Sequence, residues 1–199
     1  KGLKPDIVAL QEVDHSTERA SGVDQAKLLA KLCRMHYAFG QAMPHQGGQY
    51  GEAVLSQFPI EKTFVHPLPY QLDREPRSAI EVVIAPPGIG PISFVGTHLC
   101  HQSNELRTLQ AQRLSQLFPA QKGKPVVLAG DFNARPGSDP MNVLLNAGWV
   151  DAVAPHSLID YVLIRSCDPW TVKDVIILDE PIASDHDPVL VVLQWQGNN

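Results

Sequence analysis

The residues best suited to chemistry in this chain are acids, amides and histidines that follow directly on apolar runs. In the stretch KPVVLAGDFNARP, residues 124–136, the apolar run 126–129 stops at Gly130 and gives way to Asp131 and Asn133, with Phe132 between them expected to point the opposite way. The event recurs. Residues 7–10 run into Gln11 and Glu12, residues 92–96 lead into Thr97 and His98, Asp160 opens the run 161–164, and Ser184-Asp185-His186-Asp187 precedes the run 189–193. α/β proteins place ligand-binding groups at strand ends, so the repetition points to one site. Taken alone, G-D-x-N reads as readily as an Asx turn.

Glu12, Asp131, Asn133, Asp160 and Asp185 would together offer carboxylate and amide oxygens, with His186 beside the last of them. Such a set suits a hard cation, Mg²⁺ or Mn²⁺, better than zinc, which favours nitrogen and sulfur. Mg²⁺ takes one or two protein carboxylates and leaves positions for water and a substrate phosphate, which frees the other acids for orienting work. The T-H-L-C-H run would set His98 and Cys100 on one face of a strand, but no acid or histidine at hydrolase-like zinc spacing accompanies it. A second cluster, YGEAVLS at residues 50–56, reads either as a functional loop carrying Glu52 or as a plain loop feeding a strand. His15, His36, His45, His66 and His156 lie in polar or loop contexts and read as surface residues.

The elements that must position these groups follow from punctuation and period. Unbroken β-branched residues at 126–129 predict a strand buried on both faces. Asp24 is placed to cap a helix through about residue 35, and Ser103 one whose face holds Leu106, Leu109, Leu114, Leu117 and Phe118, with Glu105 in its first turn. Asp139-Pro140 opens a short helix that Gly148 ends. Residues 79–85 and 92–99 read as a hairpin around Pro86-Pro87-Gly88. Residues 40–52 read as loop, 53–55 as a short strand, 64–76 as a long irregular connection, and residues 149–199 as three further strands.

The chain has 199 residues, 44% hydrophobic and 19% charged, which fits one globular domain over residues 1–199. No apolar run approaches the ~18 residues of a membrane span. Three widely spaced cysteines, Cys33, Cys100 and Cys167, argue against a disulfide framework and favour reduced thiols and a cytoplasmic setting. A net charge of −5 gives no electrostatic footprint for non-specific nucleic-acid binding.

LQEVD with Glu12, YGEAVLSQFPI, EPR with Arg77, GTHL with His98, GDFNA with Asp131 and Asn133, IDYVL with Asp160, and SDHDPV with Asp185 and His186 occur in that order. Together they resemble the endonuclease/exonuclease/phosphatase superfamily, of the DNase I-like kind, over nearly the whole chain. The resemblance implies a four-layer α/β sandwich of two packed, mostly antiparallel sheets flanked by helices, with the site in a cleft at one edge. It implies Mg²⁺- or Mn²⁺-dependent hydrolysis of a phosphate ester. Glu12 would be the principal metal ligand and Asp185 a further one. His186, held by Asp160, would polarise water or contact phosphate, Asp131 and Asn133 would orient the nucleophile, and His98 would bind or protonate a phosphoryl oxygen with Arg77 nearby. Glu52, standing where many relatives carry Asn, would meet the substrate and pair with His98. Relatives usually begin with a strand ending in an Asn of the metal site, a strand expected to be missing from this domain, and they usually have a longer loop before the position of Asp160. The reading favoured is a phosphodiesterase acting on nucleic acid, a lipid head group or a small phosphate ester, with nucleic acid not favoured by net charge. A non-catalytic phosphate- or protein-binding relative on the same scaffold is the alternative, against which the retained acids argue.

Overall fold

Each expected strand end finds its place in a computed structural model that describes residues 3–197. The run at 126–129 becomes β7 (Val126–Asp131), buried at every position. It is flanked by β6 (Ile92–His98), parallel, and β9 (Asp160–Arg165), antiparallel, within a six-stranded sheet. The sheet is completed by β4 (Ile60–Pro67) and β5 (Ser78–Ile84) on one side and β8 (Trp149–Asp151) on the other, in the order β4-β5-β6-β7-β9-β8. Every pairing except β6–β7 is antiparallel.

A three-stranded antiparallel sheet, β1 (Ile7–His15), β3 (Gly48–Ser56) and β2 (His36–His45), and a hairpin of β10 (Trp170–Ile177) and β11 (Val189–Trp195) cover one face of the larger sheet. Between them lies an apolar layer containing Val54, Ile80, Val82, Phe94 and Val127, with Val191 and Leu193 of the hairpin packed against it. On the other face α2 (Asn104–Leu117) and α3 (Asp139–Asn146) bury Leu114, Met141 and Leu144 against Leu128, Leu163 and Phe132. α1 (Gln25–Cys33) contributes Ala26 to a small cluster with Val13 and Ala53 of the three-stranded sheet. The result is the expected α/β sandwich, mostly antiparallel and flanked by helices.

The helices start where their caps stand. Asp24 accepts from the Lys27 N–H at 3.0 Å and Ser103 from Leu106 at 3.1 Å. The face of α2 differs from the expected stripe, since Leu109 is exposed and Gln110 is buried. The loop expected at 40–52 is instead the β2–β3 hairpin. Its turn, Gln46-Gly47, has positive φ at both residues, the geometry of a two-residue hairpin turn, so Gly47-Gly48 marks a turn and not a loop. Pro44 is tolerated because β2 is an edge strand. The irregular connection expected from residue 64 is in part β4, also an edge strand, and the C-terminal region holds four strands where three were expected. Two histidines read as surface residues have partners: His66 lies 2.8 Å from Glu81 and His15 3.4 Å from Asp24. All three cysteines are free, and no helix is long and apolar enough to cross a membrane.

Candidate active site

Sheet register builds the site. His98 pairs with Asp131 across β6 and β7, and Asp131 with Asp160 across β7 and β9, so three neighbouring strands present chemical groups in one row. Gly130 makes this possible. At φ +150° a Cβ there would stand 1.9 Å from the Thr97 carbonyl oxygen, so only glycine lets β7 approach β6 just before Asp131. Phe132 turns into the core and is fully buried, as the alternation required.

Beyond the row, the Asn133 N–H donates to Asp131 Oδ1 at 2.6 Å, so the Asx turn is present as well as the functional placement. Asn133 Nδ2 donates to Asp131 Oδ2 and to the Leu99 carbonyl, both at 3.1 Å. From the segment before β11, His186 Nδ1 meets Asp160 Oδ2 at 2.9 Å, and the His186 N–H donates to Ser184 Oγ at 3.0 Å. Opposite, β1 breaks register between Leu10 and Val13, and Glu12, in a left-handed conformation at φ +59°, comes to the cleft. Gln11, Glu12, His98, Asp131, Asp160, Ser184, Asp185 and His186 enclose a hollow of about 180 Å³.

The electrostatics differ along the row. Burial, with Arg77 and two further histidines nearby, pushes His98 down to about 3, so it is neutral. Arg77 Nη1 donates to His98 Nδ1 at 2.9 Å, which leaves the proton on Nε2, 3.4 Å from Asp131 Oδ2 and 3.0 Å from Asn133 Nδ2. Burial, reinforced by the Asp160 charge, pushes Asp131 up to about 6. Burial also raises Asp160, against the pull of His186. For His186 burial acts downward, but the hydrogen bond and charge of Asp160 outweigh it and raise the imidazole. Both partners are therefore raised.

Arg77 lies beside His98 as expected, whereas Glu52 lies elsewhere than expected. Glu52 is fully buried on β3 and accepts a 2.7 Å hydrogen bond from Ser78 Oγ; its partner is not His98, whose Nδ1 is taken by Arg77. Burial pushes Glu52 up to about 8, so near neutrality it is a carboxylic acid. Arg77 has a side chain 1% exposed and is bonded also to Glu75 at 2.6 Å, so it backs His98 and does not face the cleft. The sequence also hid Gln110. Its Oε1 accepts from the Cys100 N–H at 2.9 Å and its Nε2 donates to the Pro69 carbonyl at 3.0 Å, fastening the segment that follows His98. The available signal was a polar residue four positions from both Leu106 and Leu114 on the buried stripe of α2.

Asp131, Asp160 and His186 are the one group of three acidic, histidine or cysteine residues among the described residues whose ligand atoms all lie within 4.8 Å of one another. Their hydrogen bonds are largely committed. Asp185 accepts none among the described residues, and Glu12 lies close to the Tyr50 hydroxyl. An oxygen-rich set with carboxylates not taken up by the row fits a hard divalent cation.

A model of the Endonuclease/Exonuclease/phosphatase family matches residues 1–186. The chain is 31% identical over 189 residues to the inositol phosphosphingolipids phospholipase C of Saccharomyces cerevisiae, a match covering 82% of this chain and 37% of that protein. Among solved structures, an endonuclease/exonuclease/phosphatase from Beutenbergia cavernae superimposes with a TM-score of 0.76 at 24% identity, over 97% of this chain and 63% of that one. Sphingomyelinase C from Streptomyces griseocarneus superimposes with a TM-score of 0.65 at 19% identity, over 94% and 85%. The row of strand-end groups, the sandwich that carries it and the match over residues 1–186 agree, and the chain belongs to the endonuclease/exonuclease/phosphatase family of phosphoester hydrolases.

Proposed function

We propose that the chain hydrolyses phosphodiesters with Mg²⁺ or Mn²⁺, and that lipid head-group diesters are favoured over nucleic acid. The observation that carries this is the row His98, Asp131, Asp160 with His186 held on Asp160 and Glu12 across the cleft. Glu12 and Asp185 would hold the cation, which when bound supplies charge to neutralise phosphoryl oxygens. Asp131, whose pKa of about 6 suits a base near neutral pH, takes the proton of the attacking water, and Asn133 fixes its orientation. His186, held through Nδ1 by Asp160, which raises its proton affinity, would donate from Nε2 to the phosphoryl group. His98 is a neutral donor through Nε2, whose nearest acceptor is 3.4 Å away, so an incoming phosphoryl oxygen would satisfy it. The lipid preference is supported by the name of the yeast relative and by the net charge of −5. A purely binding role fits less well, because a scaffold gains nothing from burying Asp131 and Asp160 side by side.

Hydrolysis of bis-p-nitrophenyl phosphate against the monoester, with Mg²⁺, Mn²⁺ or EDTA, tests the reading. The expected result is metal-dependent turnover with the diester preferred. No turnover under any metal would refute it.

A further inference from the structure

Behind the Asp160–His186 couple lies a second hollow, about 200 Å³ in volume and open on one side. Leu158 and Ile159, from the turn before β9, form one wall. Ile177 and Val189, cross-strand partners at the mouth of the β10–β11 hairpin, form the other. Leu158 is 66% exposed and Ile177 40%, so both keep apolar surface in water that a ligand could cover.

Three features say what would cover it. Asp160, Asp185 and His186 line both hollows, so a phosphate lying over them has one substituent aimed at the apolar walls. An apolar cavity of about 150 Å³ holds benzene, so this one accommodates about six carbons. No lysine or arginine lines it, and its two histidines, His156 and His186, are outnumbered by Asp160, Asp185 and Asp187, so a second phosphate or other anion on that side would be disfavoured. We propose that the hollow is a hydrocarbon subsite that receives an uncharged apolar substituent of about six carbons borne by the phosphorus. This rests on the reading of the neighbouring cleft as a phosphate site. It would make the substrate a phosphate ester with a greasy arm, and it disfavours a polynucleotide, whose next phosphate would lie in an apolar hollow without lysine or arginine.

The test is calorimetric binding of methylphosphonate, hexylphosphonate and hexane-1,6-bisphosphonate to the Mg²⁺-loaded protein. Hexylphosphonate should bind about tenfold tighter than methylphosphonate, since each buried methylene favours binding and the hollow is only partly closed. The bisphosphonate should lose that gain. In Leu158→Ser and Ile177→Ser, which alter partly exposed side chains, the hexyl-to-methyl ratio should fall towards one. Equal binding of the methyl and hexyl compounds would remove the subsite and leave the phosphate cleft standing. Tight binding of the hexyl compound without turnover of any diester would leave the subsite and remove the phosphodiesterase. A ratio unchanged in both variants, or a bisphosphonate as tight as hexylphosphonate, would also overturn the proposal.

Discussion

If Asp160 and His186 act as one unit, removing either should do nearly the damage of removing both. Asp160→Asn keeps the shape of the side chain and deletes its charge. The contact it weakens is the 2.9 Å bond from His186 Nδ1, between side chains 37% and 26% exposed. Two unit charges about 4 Å apart at an effective dielectric of 20 interact by about 4 kcal/mol. Solvent reaches both partners and screens the pair, so about 2 kcal/mol is the more realistic figure. That energy holds the imidazole protonated and oriented, and its loss alone corresponds to about 30-fold in rate. With the misorientation of the ring added, kcat should fall by about two orders of magnitude, within the ~10²–10⁴ range of a positioned acid or base.

His186→Ala should cost at least as much, and the double variant should match the His186 single within about threefold. The assay is steady-state turnover of bis-p-nitrophenyl phosphate at saturating Mg²⁺, with denaturant melts to confirm folding. A pH profile supplies an independent readout. Asp160 is what raises His186 against the downward push of burial, so in Asp160→Asn the limb set by His186 should move to lower pH. Losses that multiply in the double variant, or an Asp160→Asn enzyme within threefold of the parent, would refute the coupling.

Glu12→Gln should weaken Mg²⁺ by about tenfold or more in a calorimetric titration and lower turnover by about 10²-fold, on the scale of losing one preorganised electrostatic contact; unchanged Mg²⁺ affinity would remove Glu12 from the metal site. Glu52 binds a proton more tightly folded (about 8) than unfolded (about 4.5), so the native protein should lose about 3 kcal/mol from this group between pH 4.5 and 7, and Glu52→Gln should flatten that slope in denaturant melts. An identical slope in the variant would place Glu52 in water. Gly130→Ala should cost about 4 kcal/mol or more, or prevent folding, because the new methyl meets the Thr97 carbonyl; a melt within 1 kcal/mol of the parent would contradict the β6–β7 approach.

What the sequence made legible follows from which interactions are local. Asp131 could be placed because a both-faces-buried strand, a glycine and an Asx turn lie within eight residues of one another. Asp160 and His186 could be placed singly by their strand ends, but their 2.9 Å contact spans 26 positions and only the motif resemblance suggested it. The β2–β3 hairpin escaped because Gly47-Gly48 was read as the mark of a loop, whereas only Gln46 and Gly47 form the turn and Gly48 already belongs to β3. The partner of His98 escaped for a different reason. Glu52 is on the small sheet and Arg77 immediately precedes β5 of the large one, so the choice between them depends on how two sheets stack, which no local period encodes.

That stacking sets the charge pattern of the site. Arg77 is a buried cation whose nearest carboxylate, Glu75, is itself 41% exposed, so some of its charge is left to act on its neighbours. It lowers His98 and opposes the burial that raises Asp131 and Glu52. Had Glu52 been ionised against Arg77, the guanidinium would be neutralised and its hold on the His98 tautomer weakened. With Glu52 hydrogen-bonded to Ser78 and protonated near neutrality, Arg77 remains free to fix His98 as a neutral donor at one end of the row. At the other end Asp160 raises His186. Asp131, between a neutral His98 and a His186 raised by Asp160, is the group left poised near pH 6, which is what the proposed role as the base for the attacking water requires.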